Sequence, residues 1–134
     1  KTIRGTRRVA SVSTTAGSGI AENITLVKRS TADTAGTSTT ATNVPHDSNN
    51  AAGTAVVKSY TANPTLGTAV GTMRAVRSAA TTAGTTIDEV VWEFGTRNTQ
   101  TVVLRGTAEQ LCINLNGATI TGPVADFSVE WTEE

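Results

Sequence analysis

The sequence is poor in the residues from which most catalytic and metal sites are built. Its 134 residues include a single cysteine, Cys112, and a single histidine, His46. One cysteine cannot form a disulfide within the chain, and one cysteine with one histidine does not supply the usual zinc ligand sets unless several chains contribute. We therefore expect no disulfide framework, no bound metal and no cofactor.

Charges and long apolar runs are also scarce. Charged residues make up 16% of the chain, below the about 25% that is typical of soluble domains. The formal net charge is zero at pH 7, so no global field attracts the chain to nucleic acid or to anionic lipid. No apolar run approaches the ~18 residues that a membrane helix needs. These absences predict a soluble protein that contacts no membrane and binds no nucleic acid directly.

Threonine is present in excess, with 27 of the 134 residues. It is β-branched and suits the pleated surface of a strand. Alternation of apolar and polar residues, the signature of a half-buried strand, is clearest in residues 86–134. There Val90, Trp92 and Phe94 share one side of a strand, and Trp131 alternates with charged neighbours in the same way. We therefore expect a β-meander in this region, with both tryptophans in the core.

Four upstream segments also have strand character: 22–30, 38–44, 53–61 and 68–80. The last of these fits a helical stripe as well, but Gly71 disfavours a helix, and we predict a strand. Several short strands separated by Gly- and Asn-rich turns predict an all-β fold. We expect the strands to form a single antiparallel β-sandwich or barrel, such as a jelly roll.

The two ends of the chain carry opposite charge. Residues 1–19 contain few apolar residues. We predict a basic extended arm, with one short strand near residues 8–13, that precedes a β-sandwich domain at 20–134. The alternative is a frayed terminus without a function. The four cations of the arm are Lys1, Arg4, Arg7 and Arg8. Because no aromatic is interleaved for base stacking, we favour a protein contact. Docking of this arm on the acidic tail of a neighbour would join identical subunits in a closed ring, which predicts a homo-oligomer.

The clearest loop in the sequence is PHDSNNAAG at 45–53, which is dense in turn-forming residues. An aspartate beside a histidine can orient the imidazole for catalysis, but the sequence indicates no nucleophile for this pair. The loop oxygens suggest calcium as another alternative, although their spacing departs from the calcium-loop pattern. We interpret the loop as an ordinary surface segment that is available to a partner. Candidate partner-binding residues are therefore Lys1, Arg4, Arg7, Arg8, His46, Asp47, Asn49, Asn50, Glu133 and Glu134.

Two stretches resemble a known class of proteins. They are ENITLVKRSTADTAGTSTTATNVPHDSNNAAGTAVVKSYTANPTLGT at 22–68 and VVLRGTAEQLCINLNGATITGPVADFSVEWTEE at 102–134. Both look like small β-rich virion structural proteins of tailed bacteriophages, which serve as capsid decoration (cement) proteins or as head or tail accessory parts. The similarity lies in the overall sequence of these stretches and includes no short diagnostic motif, and it supplies no catalytic residues.

This resemblance implies a non-enzymatic protein on the virion, with the capsid surface favoured. Its implied partners are the major capsid protein or another virion protein, together with further copies of itself, a trimer being favoured. A glycan- or receptor-binding module of a fibre or cell surface is the alternative, and such modules present exposed aromatics over which sugars stack. Tyr60 is the loose candidate for that role. An enzyme such as a lyase or hydrolase is the third hypothesis. The sequence argues against it, because it has no paired carboxylates outside the strand faces.

Overall fold

The computed structural model of the chain describes residues 2–13, 21–79, 87–96, 100–116 and 124–134. These residues form β-strands and no helix, which confirms the all-β fold class. It follows that no helix among them has the length and hydropathy that a membrane span requires. The strands are β1 (Thr2–Ser13), β2 (Ala21–Arg29), β3 (Ser38–Thr40), β4 (Lys58–Tyr60), β5 (Ala69–Ala79), β6 (Ile87–Glu93), β7 (Val102–Arg105), β8 (Gln110–Asn114) and β9 (Val124–Glu133).

The first sheet is built around β1. This strand pairs antiparallel with β9 along one edge and with β6 and then β7 along the other. The predicted extended arm is therefore wrong for residues 2–7, and the short strand predicted near residues 8–13 is confirmed as part of a longer strand at the centre of a sheet. The register gives a physical reason, because it places Arg7 opposite Glu93 on one side and Glu130 on the other. Opposite charges in directly paired positions stabilise a sheet. Lys1 and residues 14–19 of the predicted arm lie outside the described residues.

The second sheet has the order β5, β2, β8, and all its pairs are antiparallel. Residues 69–79 form β5, so the strand expected at 68–80 is confirmed. The central strand β2 carries Ile24 and Leu26, whose side chains have no exposed surface. A strand paired on both edges and covered on one face accounts for this complete burial.

The two sheets meet in one apolar core, as in a β-sandwich. Its buried residues are Ile24, Leu26, Val90, Trp92, Phe94 and Val102, and partly buried Met73, Val76, Leu104, Leu111, Ile113 and Leu115 pack against them. The alternation predicted for Val90, Trp92 and Phe94 along β6 is confirmed. Each fully buried side chain of this size contributes about 1.5–3 kcal/mol to the free energy of unfolding. This cluster is therefore the main source of stability among the described residues.

A polar contact also crosses between the sheets. The Lys28 ammonium donates to the carbonyl oxygen of Val103 at 2.9 Å and lies 3.3 Å from the Glu109 carboxylate. Glu109 in turn accepts the N–H of Arg105 at 2.8 Å. The Arg105 N–H and then Lys28 lower the pKa of Glu109, since both favour its charged form. The turn between β7 and β8 is thereby fixed to β2.

Trp131 does not belong to this core. Among the residues whose burial the structure describes, the core contains residues of β6 and β7 facing those of β2, β5 and β8, and none from residues 126–133 of β9. Trp131 and Val129 are only partly buried, and Phe127 on the same strand is 45% exposed. The expectation of two core tryptophans is therefore right for Trp92 and wrong for Trp131, because the described strands of the second sheet do not cover β9.

Candidate functional site: a hairpin and an open sheet face

Residues 30–68, which we call the hairpin, form a long two-stranded excursion between β2 and β5. Backbone hydrogen bonds join its two strands along its length. At the base, the Ser30 N–H donates to Thr68 O at 2.9 Å, and farther out the Ala41 N–H donates to Val57 O at 3.0 Å. Between these points β3 pairs with β4. The strands expected at 38–44 and 53–61 are thus confirmed in shortened form, as the two sides of one ribbon. The predicted loop at 45–53 is its tip.

A buried ion pair holds the base of the hairpin. The Arg29 and Asp33 side chains are 5% and 7% exposed, and Nε lies 3.1 Å from Oδ1. Arg29 Nη1 donates to the Gly67 carbonyl at 2.8 Å, and the Gly67 N–H donates to Asp33 Oδ1 at 2.7 Å. Arg29 Nε has no aligned hydrogen-bond acceptor among the described residues, so its contact with the carboxylate is electrostatic. Both strands of the hairpin are therefore tied to the end of β2.

Cys112 lies beside this ion pair on β8. Its sulfur is 3.8 Å from Asp33 Oδ2. Burial, and then the negative charge of Asp33, raise the pKa of the Cys112 thiol, because both disfavour a thiolate. A reactive cysteine needs the opposite environment. These surroundings therefore indicate a packed thiol on a strand rather than a nucleophile.

The far end of the hairpin folds back onto β9. The Glu133 carboxylate accepts the N–H of Thr54 at 3.0 Å and the N–H of Ala55 at 2.7 Å. The indole N–H of Trp131 donates to the same carboxylate at 3.2 Å. Gly53 lies so close that an added Cβ would stand 2.7 Å from Glu133 and 3.4 Å from the Trp131 nitrogen. We call this contact the Glu133 clamp.

The core side of β9 is left partly uncovered. Val90 of β6 and Phe127 of β9 are both paired with Ala10 of β1. Residues that pair directly across neighbouring strands lie on the same side of a sheet, so Phe127 lies on the core side, and Val129 and Trp131 follow it by alternation. We call these three β9 side chains the open face.

The hairpin covers only one end of the open face. Glu133 follows Trp131 on the same side of β9, and the Glu133 clamp brings the backbone of 53–55 against that end. At the other end Phe127 is 45% exposed. A sheet face that is apolar, continuous with a core and incompletely covered is a feature of protein interaction surfaces.

The hairpin has its own exposed apolar side. Exposure alternates along 53–58, where Gly53, Ala55 and Val57 are partly buried and the residues between them are exposed. Val56 is 67% exposed, and Val44 on the opposing strand is 78% exposed. We call the side that carries Val44, Val56 and Lys58 the outer face of the hairpin. On the same side by alternation, the Thr54 hydroxyl donates to Glu133 Oε2 at 3.3 Å.

The predicted contact between a basic arm and an acidic tail is made inside one chain. Arg4 Nε donates to Glu134 Oε1 at 3.0 Å, and both side chains are exposed. The backbones of Thr2 and Glu134 exchange two hydrogen bonds at 2.9 and 3.0 Å. The expectation that these groups join different subunits is therefore corrected for Arg4 and Glu134. For Arg7 and Arg8 the structure describes the backbone, which is paired in β1.

The candidate residues of the loop at 45–53 are all exposed: His46, Asp47, Asn49 and Asn50. Asp47 organises the turn, since its Oδ1 accepts the Asn49 N–H at 2.9 Å and its carbonyl accepts the Asn50 N–H at 3.0 Å. No group of three His, Cys, Asp or Glu residues in the described ranges is placed to hold a metal ion. The structure therefore brings these loop residues together in one turn, and the Glu133 clamp joins the adjoining residues 53–55 to the C-terminal strand.

Sequence reasoning missed the parts of the site that depend on distant contacts. Nothing local in the sequence indicates that Arg29 is buried, and its partner Gly67 is 38 residues away. Phe127 carried the signal of a core residue, and nothing local indicates that the opposing sheet ends before it. No protein-family model, no curated protein and no solved structure matches the chain.

Proposed function

We propose that the chain is a non-enzymatic structural protein of a bacteriophage virion. In this proposal it is a capsid decoration protein, which forms homo-oligomers on the capsid surface and bridges neighbouring copies of the major capsid protein. It adds protein–protein interface that resists the outward pressure of packaged DNA. Its action needs no cofactor.

The observation that best supports this proposal is the open face of β9. A sheet that covers its core side at β6 and β7 and leaves Phe127 exposed at β9 has an apolar surface that a further protein can bury. Burial of apolar area stabilises an interface by about 25 cal/mol per Å² before the costs of association. The hairpin offers a second such surface at Val44 and Val56.

The size of the chain also agrees with a bridging role. A stable protein interface buries roughly 800 Å² on each partner, and the chain exposes 8568 Å² in total. Several contacts of that size fit on one subunit. The exposed side chains of the hairpin are largely threonine, serine and alanine, which limit nonspecific association between contacts.

Electron microscopy of intact particles that carry a labelled copy of the chain tests the proposal. We expect density for the label at the three-fold or quasi-three-fold positions of the capsid. Density confined to the tail, or particles without the label, would contradict a decoration role.

The exposure of Phe127 also favours a second candidate function, glycan or receptor binding. Aromatic rings on a β-surface stack against sugar rings, and Phe127 and the partly buried Tyr60 are the aromatics available for this. A glycan array distinguishes the two functions. Binding to a defined glycan that is lost in both Phe127→Ala and Tyr60→Ala would favour the second function, whereas a decoration protein gives no selective signal.

A further inference from the structure

We infer that the free edge of β9 binds an extended, basic segment of a partner protein as an additional strand. The free edge is the one that faces away from β1, which is the only strand that pairs with β9 in the described residues. This inference deepens the proposed function by naming the chemistry of the partner segment. Its test uses the isolated chain, whereas the capsid role is tested on particles, so either can fail without the other.

The edge of β9 is long and regular. β9 spans ten residues, and its pairing with β1 continues without a shift in register from Val124 to Glu130. The other long edge strand, β5, carries two register shifts against β2. Such irregularities disrupt the row of backbone groups that an added strand needs. Among the described strands, β9 is therefore the one best suited to accept a further strand.

Acidic residues lie along the side of β9 that faces away from the core. Asp126 and Glu130 alternate with the core-side residues Phe127 and Val129. These two carboxylates disfavour a second copy's β9 as the added strand, because an antiparallel pair centred on Ser128 places Asp126 of each copy opposite Glu130 of the other. Like charges in directly opposed positions destabilise a sheet. A cationic strand meets no such repulsion.

The pairing already present in the sheet shows which charge fits beside β9. On β1, Arg7 stands opposite Glu93 of β6 and also opposite Glu130 of β9. The charges therefore alternate in sign across these three strands, and a cation on the added strand continues the row. In the row that contains the exposed Asp126, the β1 residue is the uncharged Ser11. There an added cation supplies a charge that β1 does not.

The core side of β9 sets the other half of the pattern. Phe127 is 45% exposed and Val129 is partly buried. Alternate side chains of the added strand lie beside these two residues, where apolar groups bury part of the exposed surface of Phe127. The segment that fits the free edge is therefore extended, with basic residues alternating with apolar ones. Backbone hydrogen bonds supply its affinity, and this alternation supplies its specificity.

A ten-residue peptide in which lysine alternates with valine tests the inference, since it matches the length of β9. Fluorescence anisotropy of the labelled peptide measures its affinity, and hydrogen exchange of the chain locates the contact. A second peptide has glutamate in place of each lysine. Two further peptides keep the lysine–valine sequence but carry N-methyl groups, one at every lysine amide and the other at every valine amide.

We expect the lysine peptide to bind and to slow hydrogen exchange in β9, and the glutamate peptide not to bind. Successive residues of a strand direct their N–H groups to opposite edges. Only one of the two methylated sets therefore faces β9, so one N-methylated peptide should lose binding and the other should retain it. Failure of the lysine peptide to bind, or equal affinities of the two N-methylated peptides, would overturn the inference.

Two variants of the chain identify the edge. Asp126→Lys should lower the affinity for the lysine peptide by about fivefold, because it replaces an opposite-charge pair with a like-charge pair. Glu89→Lys is the matched control, since Glu89 is an exposed acid on β6 that flanks Ser11 from the other side, and its affinity should be unchanged. Circular dichroism verifies that both variants are folded. Equal affinities of the two variants would overturn the assignment to β9.

Discussion

At the residue scale, the buried ion pair of Arg29 and Asp33 has the largest consequences. Two charges that are removed from water are stable only while both are present and hydrogen-bonded. Here the pair also organises the Gly67 backbone, so its loss affects the base of the hairpin as well as the local charge balance.

We predict that Asp33→Asn lowers the free energy of unfolding by about 3–5 kcal/mol, because it leaves the Arg29 charge buried without a partner. Denaturant unfolding followed by circular dichroism measures the change. Asp126→Asn removes an exposed carboxylate and is the matched control, with an expected change within about 0.5 kcal/mol. Equal effects of the two substitutions would mean that the Arg29 contact does not stabilise the fold.

Cys112 gives a prediction about alkaline pH. Because burial and Asp33 raise the pKa of this thiol in the folded chain, the unfolded chain loses its thiol proton first as the pH rises. The stability contributed by Cys112 is thus complete below the unfolded pKa of about 8.5 and is lost as the pH rises through the folded pKa.

The expected result is that the free energy of unfolding falls more steeply between pH 8 and pH 10 in the unmodified chain than in Cys112→Ala. Urea unfolding at several pH values measures both slopes, and the comparison cancels the contributions of the other titrating groups. Parallel slopes would show that the native thiol ionises as readily as the unfolded one.

At the element scale, the hairpin depends on close backbone packing at its base. A Cβ added at Gly67 would stand 2.1 Å from the carbonyl oxygen of Thr31, which is backbone and cannot move aside alone. Gly71, four residues further along the chain, has open space at the same position. The two glycines therefore form a natural pair for comparison.

We predict that Gly67→Ala destabilises the chain by about 1–3 kcal/mol through overpacking. Gly71→Ala should be neutral or stabilising by roughly 0.5–1 kcal/mol, since glycine in a strand costs conformational entropy. Thermal melting of the two variants beside the unmodified chain measures both effects. A Gly67 variant as stable as the Gly71 variant would contradict the packing described for the hairpin base.

The Glu133 clamp predicts a local effect rather than a global one. In Glu133→Gln the amides of Thr54 and Ala55 lose a charged acceptor, and their hydrogen exchange should accelerate by roughly tenfold for each 1.4 kcal/mol lost, while the core strands keep their protection. Hydrogen exchange followed by mass spectrometry or NMR resolves the two regions. Glu134→Gln is the control, because the exposed pair with Arg4 does not touch the hairpin.

The sequence predicts elements better than it predicts their partners. Period-two alternation locates the buried side of β6, and Gly71, which disfavours a helix, correctly indicates a strand at β5. The basic residues of β1 pointed to an arm, because the glutamates that face Arg7 lie on strands far along the chain. Phe127 and Trp131 have the same local pattern as Trp92, so only the limited width of the second sheet distinguishes them.

At the scale of the whole molecule, the described residues include two exposed apolar surfaces that a partner can cover. The open face of β9 continues the core of the sandwich. The outer face of the hairpin exposes Val44 and Val56, and the hairpin is fixed at its base by Arg29 and Asp33 and at its far end by the Glu133 clamp. A rigid β-framework with such surfaces suits a protein that acts by binding to other proteins, and the proposed decoration role requires that binding to stabilise the particle.

Sedimentation of phage heads from which the chain has been removed is the most direct test of this role. With purified chain added back, we expect the chain to sediment with the heads and to raise the temperature at which they rupture, whereas Phe127→Glu at the same concentration does neither. A chain that remains in the supernatant, or heads that rupture at an unchanged temperature after binding it, would contradict the proposed function.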